Sequence, residues 1–234
     1  MDGECGGASG LIEFDGIAHS YGDHPVLDGI DLRLAEQRVA FVGANGSGKS
    51  TLARMVNGLV APTRGRVLVD GLDPASDGRA VRRRVGFVFT NPDSQIVMPT
   101  AGEDVAFSLR RRGIPKAERE RRAAEVLARH GLAGYAEHPA HQLSGGQKQL
   151  LALCSMLVLE PQVLVCDEPT TLLDLRNKRR FVELLHELPQ QVLLVTHDLH
   201  LLSGFDRVVV LDGGRVVADD APEPALAHYR ELVG

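Results

Sequence analysis

Nowhere in the 234 residues is there a hydrophobic run long enough to cross a bilayer. The longest, Leu150–Leu159, is about half of the roughly twenty apolar residues that a helical span needs, and Glu160-Pro161 ends it. The first residues, MDGECGGASG, are acidic and glycine-rich. They lack the basic start and apolar core of a secretory signal, and we expect a loose tail over 1–10. An excess of basic charge is also missing: the net charge is −5, which argues against a nucleic-acid partner. Cysteine is scarce. Cys5, Cys154 and Cys166 are odd in number and lack metal-ligand spacing, as do His130, His138 and His141. Cys154 and Cys166 lie in apolar runs and read as small core residues, which fits a reducing, cytoplasmic compartment. There is no solenoid-period repeat and no sustained heptad run. Any link to a membrane is therefore expected to run through a partner.

What is present is ordinary globular material, 44% apolar and 24% charged. The length suits one α/β domain over 11–234 with a smaller lobe. Strand-like runs recur at Arg38–Val42, Arg66–Asp70, Val85–Phe89, Val163–Cys166, Val192–Thr196 and Val208–Leu211. Several are continuous and β-branched, as parallel strands covered on both faces are. Helical patterns at Lys49–Leu59, Arg119–His130, Gly146–Leu159 and Lys178–Leu188 alternate with them, which predicts a mainly parallel, doubly wound core. Residues 11–34 and 60–72 alternate apolar and polar, with turn signals at Asp15-Gly16 and Asp70-Gly71, and predict an antiparallel flank. Residues 95–160 predict an inserted helical subdomain. Asp212-Gly213 predicts a terminal hairpin.

The run Gly43-Ala-Asn-Gly-Ser-Gly-Lys49-Ser50 follows a strand pattern and opens a helix pattern. Glycines there let backbone N–H groups close around a phosphate, and the helix start adds partial positive charge. A tight turn could carry the same residues, but the strand-loop-helix context argues for ATP or GTP. We expect Gly43, Asn45, Gly46, Ser47, Gly48, Lys49, Ser50 and Thr51 around the nucleotide, with Lys49 on the β- and γ-phosphates and Ser50 on Mg²⁺. Asp167 and Glu168 end the buried run Val163–Cys166. Ligands gather at such strand ends, and phosphoryl transfer needs a metal clamp and a positioned water. Asp167 is therefore expected to hold Mg²⁺ through water and Glu168 to orient and deprotonate the attacking water.

Leu143-Ser144-Gly145-Gly146-Gln147, just before a helix pattern, offers a second anion site of hydroxyl and backbone amides. It resembles the signature sequence of ABC ATPases, as Asp167–Thr170 resembles their Walker B strand end. The resemblance covers residues 11–220 and implies an ABC-type P-loop ATPase fold. It also implies roles for three more residues: Tyr21 stacking on adenine, Gln95 touching Mg²⁺ and the attacking water, and His197 contacting the γ-phosphate. Ser144, Gly145, Gly146 and Gln147 are implied to meet the nucleotide of a second ATPase subunit, making this chain half of a dimer, most simply a homodimer. Two departures stand out. Thr171 and Leu172 replace smaller family residues ahead of Asp174, and Glu36-Gln37-Arg38 replaces a frequent Gly-Glu turn, a change we expect to be cosmetic.

Asn91–Thr100 with Glu103–Leu109 resembles the Q-loop region of energy-coupling-factor (ECF) transporters, importers of vitamins and of cobalt or nickel. Phe89–Asp93 together with Cys166–Arg176 is most similar to their biotin-transporting members, with the cobalt/nickel members next. That resemblance implies a peripheral subunit on the cytoplasmic face of the inner membrane. Its partners are a membrane coupling protein and a substrate-capturing membrane protein. A soluble ABC ATPase without a transport role is the other reading. The arginines 82–84, 110–112, 119, 121 and 122 read first as solvated helix faces and second as contacts to anionic lipid or a membrane partner.

Overall fold

Three short aliphatic runs, RVAFV, VLVCD and QVLLV, are buried along their whole length and form the centre of the molecule. The computed structural model describes residues 10–234, so Cys5 and most of the expected tail lie outside the described residues. From the amino end come β1 (Ile12–Tyr21), β2 (His24–Leu34), β3 (Arg38–Val42), α1 (Lys49–Met55), β4 (Arg64–Val69), α2 (Gly78–Arg84) and β5 (Val85–Val88). Then follow α3 (Ala101–Ser108), α4 (Lys116–Arg129), α5 (Gly145–Leu157), β6 (Val163–Asp167), α6 (Leu175–Glu187), β7 (Gln191–Val195), β8 (Arg207–Asp212), β9 (Arg215–Asp220) and α7 (Pro222–Val233).

Six strands form one sheet in the order β5-β6-β7-β3-β8-β9, parallel except for the final hairpin. Successive side chains point to opposite faces. Ala40, Val42, Cys166, Leu194 and Val210 join a core shared with α3 to α6. Val39, Phe41, Val165, Leu193 and Val209 join a second core shared with the antiparallel sheet β2-β1-β4. Each fully buried valine or leucine contributes about 1.5–3 kcal/mol relative to exposure, which is why both faces are covered. Cys154 and Cys166 are fully buried in the first core, and burial pushes the Cys154 thiol up to about 12 and raises Cys166 as well. Between β5 and β6 the described chain forms helices and short turns and no strand longer than an isolated bridge.

Several boundaries differ from the sequence expectation. Asp15-Gly16 is a bulge in β1, and the chain reverses instead at Gly22-Asp23, where Tyr21 pairs with His24. The bulge lies over Gly65 of β4, where a Cβ would meet the carbonyls of Asp15 and Gly16 at 2.4 Å. Asp70-Gly71 is a true two-residue turn with φ of 49° and 75°. The last hairpin turns on Gly213-Gly214, one residue later than expected, because Asp212 still pairs with Arg215. α1 stops at Met55 rather than Leu59, since Gly58 takes φ 74° and the Asn57 side chain accepts from the Leu59 N–H. α6 starts at Leu175, three residues early, because Asp174 caps it by accepting the Asn177 N–H at 2.9 Å.

The segment Glu36–Arg38 is not cosmetic. The Arg38 side chain is buried and donates to the carbonyls of Gln37, His186, Leu188 and Gln190, tying the end of α6 and the entry to β7 onto β3. Its backbone N–H donates to Asp206 at 2.7 Å, and Glu36 accepts from Arg207 at 3.1 Å. Burial lowers the Arg38 pKa, an effect that Asp206 opposes.

Candidate functional site

Neighbouring strands β6, β7 and β3 bring their carboxyl ends to one edge of the sheet, so the loops after Val42, Asp167 and Val195 emerge side by side. The loop from Gly43 to Gly48 wraps tightly. At Gly43, φ is 147°, and a Cβ would lie 2.0 Å from the Leu211 carbonyl oxygen. At Gly48, φ is 97°, and a Cβ would press Leu27 at 2.5 Å and the Val26 carbonyl at 2.9 Å. A side chain is thus excluded at both positions, and bare backbone there suits a loop whose amides cradle a phosphate. Lys49 is buried and donates to the carbonyls of Gly43 and Ala44 at 2.9 and 2.8 Å and to Ser47 Oγ at 3.4 Å. Burial lowers its pKa, and the carboxylates of Glu168 and Asp167 push it back.

Asp167 has no solvent exposure. Its Oδ1 accepts from the Ser50 hydroxyl at 2.6 Å, and its Oδ2 accepts from Arg54 Nη2 at 2.8 Å and Nε at 3.1 Å. Glu168, the next residue, adopts φ 52°, a left-handed conformation that costs a non-glycine residue about 1–3 kcal/mol. The kink turns its carboxylate out of the strand line. Oε2 then accepts from Thr171 Oγ1 at 3.2 Å and faces His197 Nδ1 at 2.8 Å. Asp198 accepts from Lys178 Nζ at 2.7 Å and Thr170 Oγ1 at 3.1 Å, which joins the turn after β7 to the turn after β6. A cleft of about 450 Å³ opens here, lined by Asn45, Lys49, Ser50, Glu168, Thr171 and His197 among others.

The other expected residues lie outside that lining. Tyr21 ends β1 half-exposed, with its ring edge-on to His19 at 4.6 Å between centroids. Gln95 is turned toward α5: its Nε2 donates to the Ala152 carbonyl at 3.2 Å, and its Oε1 accepts from the Phe89 N–H at 3.3 Å. Gln149 donates to the Phe89 carbonyl at 3.1 Å, and Lys148 pairs with Asp93 at 2.8 Å. Asp104 is buried and accepts from the Val97 and Met98 N–H groups and from Ser155 Oγ. The Gln95 loop is thereby fastened to α5. Ser144 caps α5, with Gln147 completing a reciprocal capping box. Gly146 lies against Asn177 of α6, and Gly145 is near the Leu172 carbonyl, beside the turn at Asp174 rather than the phosphate loop of the same chain.

The structure therefore brings Lys49, Ser50, Asp167, Glu168 and His197 together, and keeps Gln95, Tyr21 and Ser144–Gln147 apart from them. Sequence reasoning missed Arg54, Thr90, Thr171 as a partner of Glu168, and the Lys178–Asp198 pair. Arg54 carried a usable signal, since it lies one helical turn after Ser50. The Ser50 hydroxyl and Asp167 carboxylate converge as hard oxygen donors at the cleft, a set that suits Mg²⁺. Among the described residues no group of three or more His, Cys, Asp or Glu forms a cage. A cation held by one or two side chains together with phosphate oxygens fits that arrangement.

Comparison with known proteins agrees with this arrangement. The sequence profile described as "ABC transporter" matches residues 27–171. The "Biotin transport ATP-binding protein BioM" of Rhizobium etli is 45% identical over 94% of this chain and 98% of its own length. The "Energy-coupling factor transporter ATP-binding protein EcfA" of Methanothermobacter thermautotrophicus is 40% identical over 91% of this chain and 71% of its own. Among solved structures, cbiO1 of Clostridium perfringens, described as part of the ABC transporter complex cbiONQ, superposes with a TM-score of 0.83. It is 32% identical and covers 95% of this chain and 92% of its own.

Proposed function

The chain belongs to the ABC transporter family as an ATP-binding transport ATPase, and from that premise we propose that it powers an ECF-type importer whose cargo is biotin. The observation that carries the ATPase assignment is the convergence of Lys49, Ser50, Glu168 and His197 on one cleft, with the buried Asp167 bonded to Ser50 behind it. The importer type rests on the Asn91–Leu109 pattern and on the similarity to BioM and EcfA. Biotin is placed first because BioM is nearly coextensive with this chain; cobalt or nickel is second, cobalt import being the printed role of a CbiO relative from Syntrophus aciditrophicus that is 42% identical.

In this reading the backbone amides of Gly43–Gly48 hold the β-phosphate. Lys49 exchanges its carbonyl contacts for the β- and γ-phosphate oxygens. Ser50 and Asp167 hold Mg²⁺, which when bound neutralises charge building up on the phosphates. Thr171 and His197 engage Glu168 Oε2, so Oε1 is left to take the proton of the attacking water. Water oxygen then bonds to the γ-phosphorus as the β–γ bridging bond breaks. His197 steadies Glu168 and faces the departing phosphate. Tyr21 presents a ring for adenine. Ser144 and Gly146, directed away from their own phosphate loop, contact the nucleotide of a second copy, and loss of the γ-phosphate releases the pair.

No described helix is long and apolar enough to cross a membrane. Attachment to the cytoplasmic face therefore runs through the membrane coupling and substrate-capture proteins. The exposed turn Arg110–Arg112 borders a groove of about 610 Å³ between α3 and α4, and Arg110 sits 5.9 Å above the half-exposed Phe107 ring. Reversing the three charges to Glu is expected to cut co-purification with the membrane partner at least tenfold while leaving ATP turnover of the isolated subunit within twofold. Unchanged complex assembly and uptake would remove this surface from the reading. Arg121 and Arg122, by contrast, pair with Glu118 along α4 and hold its carboxyl at about 2, as a solvated face does.

The deciding experiment is uptake of labelled biotin against Co²⁺ and Ni²⁺ by cells expressing this chain with its natural membrane partners. ATP-dependent accumulation of biotin alone is expected. Accumulation of Co²⁺ or Ni²⁺ instead selects the second cargo. Co-purification with soluble scaffold proteins and no membrane partner would replace the transport reading with a cytosolic one.

A further inference from the structure

The carboxylate of Asp167 has no exposure to water, and among the described residues one cation forms a salt bridge with it. That cation is not Lys49, which feels the charge of Asp167 but hydrogen-bonds to the carbonyls of Gly43 and Ala44 and to Ser47. It is Arg54, one helical turn beyond Ser50 on α1, which places Nε and Nη2 on the same oxygen, Oδ2, at 3.1 and 2.8 Å. The other oxygen, Oδ1, is left to the Ser50 hydroxyl at 2.6 Å, on the side of the cleft. The two oxygens are thus divided, one toward the guanidinium and one toward the Ser50 hydroxyl. The Arg54 side chain is itself 40% exposed, so the guanidinium keeps part of its hydration while serving a wholly buried partner.

We propose that Arg54 is a positioning residue that acts as a built-in counter-ion for Asp167, holding Oδ2 and so aiming Oδ1 at Ser50. A buried carboxylate stripped of its cation is strongly destabilising, whereas one paired by a forked guanidinium is tolerated. The geometry makes the pair more than a packing contact: two donors converge on one oxygen of a residue that makes no other salt bridge among the described residues. The inference rests on the reading of Asp167 as a metal-holding residue, and the test separates the two.

The experiment compares melting temperatures of wild type, Arg54→Met, Arg54→Lys, Asp167→Asn and the double variant R54M/D167N, each without nucleotide and with Mn²⁺–ADP. Mn²⁺ binding is followed directly by electron paramagnetic resonance. Without nucleotide, R54M is expected to melt about 5–10 °C below wild type, since an unpaired buried charge is exposed as a stability loss. Adding Mn²⁺–ADP should raise R54M by clearly more than it raises wild type, because the divalent cation supplies the missing charge. The double variant, with the buried charge removed, should return to within about 3 °C of wild type. R54K, which keeps the charge but not the fork, should fold and melt between R54M and wild type; it carries the comparison if R54M does not fold.

The inference is overturned if R54M melts with wild type, if D167N does not restore it, or if Mn²⁺–ADP raises both proteins equally. The underlying reading fails separately if D167N alone binds Mn²⁺–ADP as tightly as wild type. A purely structural arginine would lower all melting temperatures by the same amount, with no dependence on Asp167 or on the cation.

Discussion

Replacing Glu168 with glutamine is expected to leave ATP binding intact, trap the ATP-bound dimer and lower turnover by about 10²–10⁴-fold, the usual cost of losing a general base. The substitution is nearly isosteric, and the left-handed backbone at φ 52° is the same for both residues. A glutamine oxygen can still accept from Thr171 or His197, so the local turn should persist. What disappears is the oxygen that takes the proton from water. Steady-state phosphate release gives the rate, and size-exclusion chromatography with ATP gives the dimer. A variant that hydrolyses ATP within threefold of wild type would move the base to another residue.

Arg38→Met is expected to cost about 3 kcal/mol of folding stability without touching nucleotide affinity, because four carbonyls lose their donor in a largely buried site. For a chain of this length that is a fall of roughly 6–12 °C in melting temperature. Methionine fills most of the volume, so the loss reports the hydrogen bonds rather than a cavity. Differential scanning calorimetry measures the fall, and a nucleotide titration checks that the cleft is unchanged. A melting temperature within 2 °C of wild type would mean that the carbonyls find other donors.

These two residues show where the sequence was readable. Glu168 was legible because phosphate chemistry concentrates in contiguous motifs: Gly43–Ser50 and Asp167–Glu168 each announce a turn at the end of an apolar strand. The mainly parallel core and the antiparallel flank were legible from periodicity alone. Arg38 was not, because three of its four partners lie at the far end of α6 and just before β7, about 150 positions away in the chain. The bulge at Asp15-Gly16 was mistaken for a turn because the same residue pair suits both, and only its close packing over Gly65 of β4 decides between them. The early start of α6 was hidden in the same way: Asp174 stood out as part of a family motif, and its local action as a helix cap was overlooked. Thr171 was noticed only as a bulky departure; the hydroxyl, which donates to Glu168, is what the structure adds.

The placement of Gln95 has a further consequence, for the resting rate. Both ends of its amide are engaged, with Phe89 and with Ala152, and each neutral hydrogen bond is worth about 0.5–1.5 kcal/mol. If reaching the cleft requires releasing both, a conformer with Gln95 delivered makes up only about 1–20% of the unliganded population. If hydrolysis needs Gln95 at the cleft, as the family resemblance implies, idle turnover is then set by occupancy of that minor conformer, with no inhibitor needed. Because Asp104 and Ser155 fasten the following residues to α5, whatever shifts α5 changes that occupancy. A partner pressing on the helical face would act as an accelerator simply by making a rare conformer common.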